Sequence, residues 1–113
     1  APANLSKEEQ VAAGKNLYMQ ACFACHQPNG EGIPNAFPPL AKSDYLNADT
    51  DRAIDILLHG LSGELVVNGE KYNSIMPAQK MNDHEIANVL TYIYNSWENN
   101  GKVISPEMVK ARR

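Results

Sequence analysis

Apolar positions recur at helical spacing in three stretches of the chain and run consecutively in a fourth. Val11, Gly14 or Lys15, Tyr18 and Cys22 fall on one side of a first helix. Ser6-Lys7-Glu8-Glu9 opens that helix as a capping box, and it runs to about Met19. Gly14 costs roughly 1 kcal/mol relative to Ala inside a helix, which predicts a close approach of another helix there. Asp49-Thr50-Asp51 opens a second helix with Ile54, Leu57 and Leu58 inward and Gly60 as its stop. Asn82-Asp83-His84-Glu85 opens a third with Met81 and Ile86 as a hydrophobic staple. Its apolar face is Ile86, Val89, Leu90, Ile93 and Trp97, and it ends near Trp97. The fourth stretch, Leu65-Val66-Val67, is β-prone. Asn68-Gly69 follows it as a two-residue turn, predicting a hairpin over residues 64–72 that needs something to lean on. A helical turn near Ser43–Leu46 and a short helix capped by Ser105-Pro106 complete the elements.

The remainder is loop. Residues 27–42 hold Pro28, Gly30, Gly32, Pro34, Pro38 and Pro39, and residues 73–81 form a second irregular stretch. So much loop does not suit a helical domain standing alone. Composition sharpens the point: with 2 Phe and 1 Trp in 113 residues, large apolar side chains are few for a core. The length fits one domain, residues 1–113, with a tail over 101–113. No apolar run is long enough for a membrane span. The net charge of −3 argues against nucleic acid as the main partner. That charge is uneven. Residues 1–100 carry 6 Lys+Arg against 12 Asp+Glu, while the tail sets Lys102, Lys110, Arg112 and Arg113 against Glu107. A solvated basic tail or a docking element for an acidic partner is expected. The opening residues Ala1-Pro2-Ala3-Asn4 suit either a mature end left by signal-peptide removal or the boundary of an excised domain.

Both cysteines lie in Cys22-Phe23-Ala24-Cys25-His26, where a disulfide would close almost no loop. A structural zinc site needs four ligands, and only His59 and His84 remain to complete one. A thioredoxin-type redox pair starts a helix after a strand, whereas this motif follows a helix and precedes a Pro/Gly loop. Covalent haem c uses both cysteines, sets His26 under the iron and explains the thin core, because the porphyrin becomes the core. The sixth-ligand candidates are Met19, Met76, Met81, Met108, His59 and His84. Met76 is favoured because the loop Ser74-Ile75-Met76-Pro77-Ala78, just before the third main helix, can carry a thioether to the far side of a haem. The staple accounts for Met81, packing for Met19, and helix-end positions for His59 and His84.

Cys22-x-x-Cys25-His26, the loop from Gly30-Glu31-Gly32 to Pro38-Pro39-Leu40-Ala41, the Met76-Pro77-Ala78 loop and the last amphipathic helix together resemble class I cytochrome c. Leu58-His59-Gly60-Leu61-Ser62-Gly63, the hairpin with Tyr72, and Leu90-Thr91-Tyr92-Ile93 with Ser96-Trp97 resemble bacterial cytochrome c domains found with copper nitrite reductases and quinohaemoprotein dehydrogenases. The resemblance implies an all-α cytochrome c fold, three to five helices around one haem c attached through Cys22 and Cys25. It implies His26 and Met76 as axial ligands, with Pro38 accepting a hydrogen bond from His26 and Leu40 packing on the haem. The first and last main helices should cross near the haem, Gly14 and Tyr18 meeting Leu90, Ile93 and Tyr94. Arg52, Tyr45, Tyr72 and Trp97 are candidates for the propionates. The implied role is a periplasmic, non-enzymatic shuttle of single electrons between respiratory-chain proteins, a monomer or weak dimer whose partners are other redox proteins. The alternatives are an electron-entry domain of a larger enzyme and a gas-sensing or peroxidatic haem protein.

Overall fold

The computed structural model describes residues 5–113, so the expectation about residues 1–4 lies outside the described residues. Its elements are α1 (Lys7–Ala21), α2 (Phe23–His26), α3 (Asp44–Ala48), α4 (Thr50–His59), β1 (Glu64–Val67), β2 (Glu70–Asn73), α5 (Asp83–Tyr94) and α6 (Pro106–Lys110). Among the described residues there are thus six helical pieces rather than three to five. The excess is a single turn, α2. The C-x-x-C-H motif winds its own turn after a break at Cys22, while the short helix predicted at Ser105-Pro106 is present as α6. Both predicted capping boxes are present, with Ser6 Oγ accepting from Glu9 N and Asn82 Oδ1 from Glu85 N.

α1 lies across α5 at Gly14. A side chain there would run into the Asn88 carbonyl and the Tyr92 Cβ, so only glycine lets the two backbones meet. The contact residues therefore differ from those expected. Gly14 meets Asn88 and Tyr92, and the Tyr18 ring packs at a tilt against Tyr92 and Trp97 with ring centroids 5.6 and 5.2 Å apart. α5 also ends earlier than its apolar period suggests. Asn95 caps it, and Trp97 and Glu98 turn into the left-handed region at φ 52° and 64°. That turn swings the indole over Gly30, where a Cβ would strike the ring.

Every residue of α5 from Ile86 to Tyr94 is buried. One side takes α1, another the segment leading into α6, and Leu90 and Ile93 face a cleft. A buried polar knot ties the first two sides together. Gln10 Nε2 donates to the Ile104 carbonyl at 2.8 Å, and Ile104 N donates to Thr91 Oγ1 at 2.9 Å. The hairpin pairs antiparallel with Leu65 opposite Tyr72. It leans on α3, where Asp44 N donates to Asn68 Oδ1 at 2.9 Å and Asn68 N to Asp44 Oδ1 at 2.8 Å.

The basic tail stays exposed to solvent, but its last two residues are folded back onto the body. Arg112 forms a two-pronged pair with Asp55 at 2.9 and 2.6 Å, and Arg113 pairs with Asp83 at 2.5 Å. The acidic body that makes the charge uneven is what draws these two arginines back onto it.

Candidate functional site

An apolar cleft opens between α5, α4, the hairpin and both long loops. It encloses about 690 Å³ of empty space, its open mouth included. Cys22, His26, Pro38, Leu40, Arg52 and Met76 all line it. Cys25 lines a smaller adjoining cleft that also touches His26, Pro38 and Met76. Tyr72 is buried on the hairpin but is not among the residues lining either cleft, and neither is Trp97, which belongs to the aromatic cluster on α1 and α5.

His26 is positioned twice over. Its own carbonyl accepts from Gly32 N at 2.9 Å, and its ring Nδ1 lies 2.8 Å from the Pro38 carbonyl oxygen. A carbonyl only accepts, so Nδ1 carries the proton and Nε2 keeps its lone pair. Burial holds the ring's pKa below the usual imidazole value, against an opposing pull from Pro38. Gly32 makes the approach feasible: at φ 70°, a Cβ would collide with the backbone of Phe37, Pro38 and Pro39. The loop's far end is anchored where Leu40 N and Ala41 N donate to the Gly30 carbonyl at 2.7 and 2.9 Å. Asn99 Nδ2 also donates to the Leu40 carbonyl at 2.9 Å, a support from beyond α5 that nothing local signals.

Met76 is held by its backbone. Met76 and Leu61 exchange both N–H···O bonds, at 2.8 and 2.9 Å. Gly60, at φ 82°, passes close under the Met76 carbonyl. Ser74 Oγ reaches the Ala36 carbonyl at 3.1 Å, tying this loop to the one that holds His26. The thioether is thereby presented to the same cleft as the imidazole.

The two cysteine sulfurs are not joined to each other, and Cys22 is buried while Cys25 is exposed. Burial, with Cys25 adding to it, pushes the Cys22 thiol up to about 11. A disulfide-exchange pair needs the opposite shift. Among the described residues, no group of three or more His, Cys, Asp or Glu is placed to hold a metal ion, and His59 instead lies 3.4 Å from the Arg112 carbonyl oxygen.

A cytochrome c family model matches residues 11–97. The chain belongs to the cytochrome c family. It is 44% identical over 97 residues to cytochrome c-552 of Thermus thermophilus, covering 81% of this chain and 73% of that protein. It is 30% identical over 115 residues to the cytochrome c subunit of the quinone alcohol dehydrogenase of Gluconobacter oxydans, covering 97% of this chain and 24% of that subunit. The cytochrome c subunit of gluconate 2-dehydrogenase from Pantoea cypripedii is 31% identical over 104 residues, 87% of this chain and 23% of that subunit. The chain is thus a monohaem electron-carrier cytochrome c, and its cofactor is haem c attached through Cys22 and Cys25.

The cleft suits that group. Its lining is mostly leucine, isoleucine, valine and proline. At its edge, the buried Arg52 Nε finds no hydrogen-bond partner among the described residues. Periodicity alone misplaced part of the lining. α4 sends Ile54 into the helical core, but Ala53, Ile56 and Leu57 face the cleft, and Leu58 is only half buried. An apolar residue one step off the predicted face was the available signal.

Proposed function

We propose that this cytochrome carries single electrons between respiratory-chain redox proteins in the periplasm, without catalysing a reaction itself. His26 and Met76 would be the two protein ligands to the haem iron, and residues 1–113 form one cytochrome c domain. The observation that carries this reading is that a neutral, Nδ1-anchored His26 and a backbone-anchored Met76 line the same apolar cleft as Cys22.

When bound, haem c supplies a one-electron Fe(III)/Fe(II) couple. Pro38 fixes which imidazole nitrogen is available for coordination, and such a bond also raises the basicity of the ligand. A Met76 thioether favours the reduced state relative to a second imidazole. His26 ends the helical turn α2 and Met76 rides on a loop, and both are pinned by backbone hydrogen bonds, so little rearrangement would accompany transfer. The apolar lining disfavours the extra ferric charge. Arg52 is set for a propionate. Its Nη2 donates to the Tyr45 carbonyl at 2.6 Å, its Cζ lies 3.7 Å from the Tyr45 ring centroid, and its Nε is left to donate. An orphaned buried donor costs about 1–3 kcal/mol, which a carboxylate partner would relieve.

Replacing Met76→Ala is expected to leave haem attached while the ferric near-red charge-transfer band disappears; a surviving band sinks Met76 as ligand. Changing His59→Ala is expected to leave the band intact.

The second reading, an electron-entry domain of a larger dehydrogenase, is supported by the match of 97% of this chain to a quarter-length stretch of the alcohol dehydrogenase subunit. Carbon monoxide binding by the reduced protein at neutral pH would instead favour a sensing or peroxidatic role.

A further inference from the structure

The C-terminal arginines do more than neutralise acidic residues. Arg112 grips the middle of α4, donating through Nε and Nη2 to the two Asp55 oxygens at 2.9 and 2.6 Å. Asp51 stands 3.9 Å from its Nη1. One residue on, Arg113 grips the far end of the loop over residues 73–81. Its Nε donates to Asp83 Oδ1 at 2.5 Å, and its Nη2 donates to the Met81 carbonyl at 2.7 Å. Asp83 and Met81 flank the N-cap of α5, where residues 73–81 end. α4 leads into Leu61, whose backbone holds Met76, and Gln79 N donates to the Leu57 carbonyl of α4 at 2.8 Å. The dipeptide therefore joins both attachments of the Met76 loop from outside. α6 gives it a firm base, because Val109 is fully buried and Ser105 caps the turn.

We infer that Arg112 and Arg113 are positioning residues for the sixth iron ligand: a charged brace between α4 and the start of α5 that restrains the loop carrying Met76. Loops of this kind sit at the low-stability end of a fold, where a few tethers decide how often they open. Two-pronged arginine–carboxylate contacts set geometry as well as attraction. All four charged partners are at least partly exposed, so salt weakens the brace. The inference rests on Met76 being the ligand.

The test uses the haem-loaded full chain and its Arg112→Gln/Arg113→Gln variant, with imidazole as the probe. Imidazole must displace the native ligand from the ferric protein, so its binding rate reads loop opening. The variant is expected to bind imidazole about three- to tenfold faster, the scale of losing two exposed ion pairs. Raising the salt should bring the wild-type rate up towards the variant's while leaving the variant's nearly flat. Amide exchange at Met76 and Gln79 should accelerate, while the buried amides of α5 keep their protection. Equal imidazole rates overturn the inference. So does acceleration spread evenly over all amides, which marks general destabilisation. Should Met76→Ala keep its near-red band, the ligand assignment fails instead, and the exchange at Met76 and Gln79 still reports on the brace.

Discussion

The two sides of α5 are built on different principles. Towards α1 and α6, Tyr18, Ile86, Val89, Tyr94, Ile104 and Val109 are essentially inaccessible, each covered by other side chains. Towards the cleft, Ile56, Leu61, Leu65 and Met76 remain half-buried and face an opening instead of one another. The first side is held by side-chain packing around a helix crossing. The second is held by backbone hydrogen bonds at a few fixed points, Gly30 with Leu40 and Ala41, Leu61 with Met76, and Gly32 with His26. A surface organised by its backbone and lined with apolar side chains, several of them only half-buried, is completed by a guest. One half of this protein is a packed core, and the other is a mould.

Removing the guest tests that contrast most severely. A haem-free Cys22→Ala/Cys25→Ala variant is expected to lose cooperative folding, because apolar cleft surface returns to water while the loops still carry their ordering cost. Circular dichroism with thermal denaturation checks it, and a cooperative transition in the haem-free chain would show that the packed half suffices alone.

Striking at the packed side should cost less and leave the mould's spectrum alone. Gly14→Ala drives a methyl into the Asn88 carbonyl and Tyr92, and should lower unfolding free energy by about 1–3 kcal/mol. Denaturant titration measures this, with the near-red band as the control that His26 and Met76 remain in place. A neutral result would mean that α1 and α5 can slide apart without loss.

The smallest effect is electrostatic and lies at the seam between the halves. Arg112 beside Asp55 holds that carboxyl below its usual range. A carboxylate whose folded pKa is depressed stabilises the fold at neutral pH. Its contribution is full above the ordinary carboxylate range and fades as pH falls through the depressed folded value. Arg112→Gln should therefore lower the denaturation midpoint slightly at neutral pH, and the gap from the natural sequence should close in acid. A gap that persists undiminished as the carboxylates are titrated with acid would assign the loss to packing of the arginine stem.

Much of this is legible residue by residue. Ser6 with Glu9, Asn82 with Glu85, and Asn68-Gly69 give the cap and turn positions because each acts through partners within a few residues. Cys22, Cys25 and His26 are legible for the same reason, their spacing being set by one covalent chemistry. The end of α5 is not legible: Trp97 lies in phase with the apolar face, yet it leaves the helix to cover Gly30 and stack on Tyr18. The tail is not legible either, since its charge is plain in the sequence but its partners, Asp55 and Asp83, lie 57 and 30 residues away.

The sequence by itself determined the local events: where helices start, where the chain turns, and that one five-residue motif demands a haem. Only the tertiary structure decided which surfaces would close on one another and which would stay open. Caps, turns and attachment motifs depend on interactions within a few residues. The helix crossing at Gly14, the Leu61–Met76 pairing and the return of Arg112 and Arg113 depend on parts of the chain that meet only once the fold has formed.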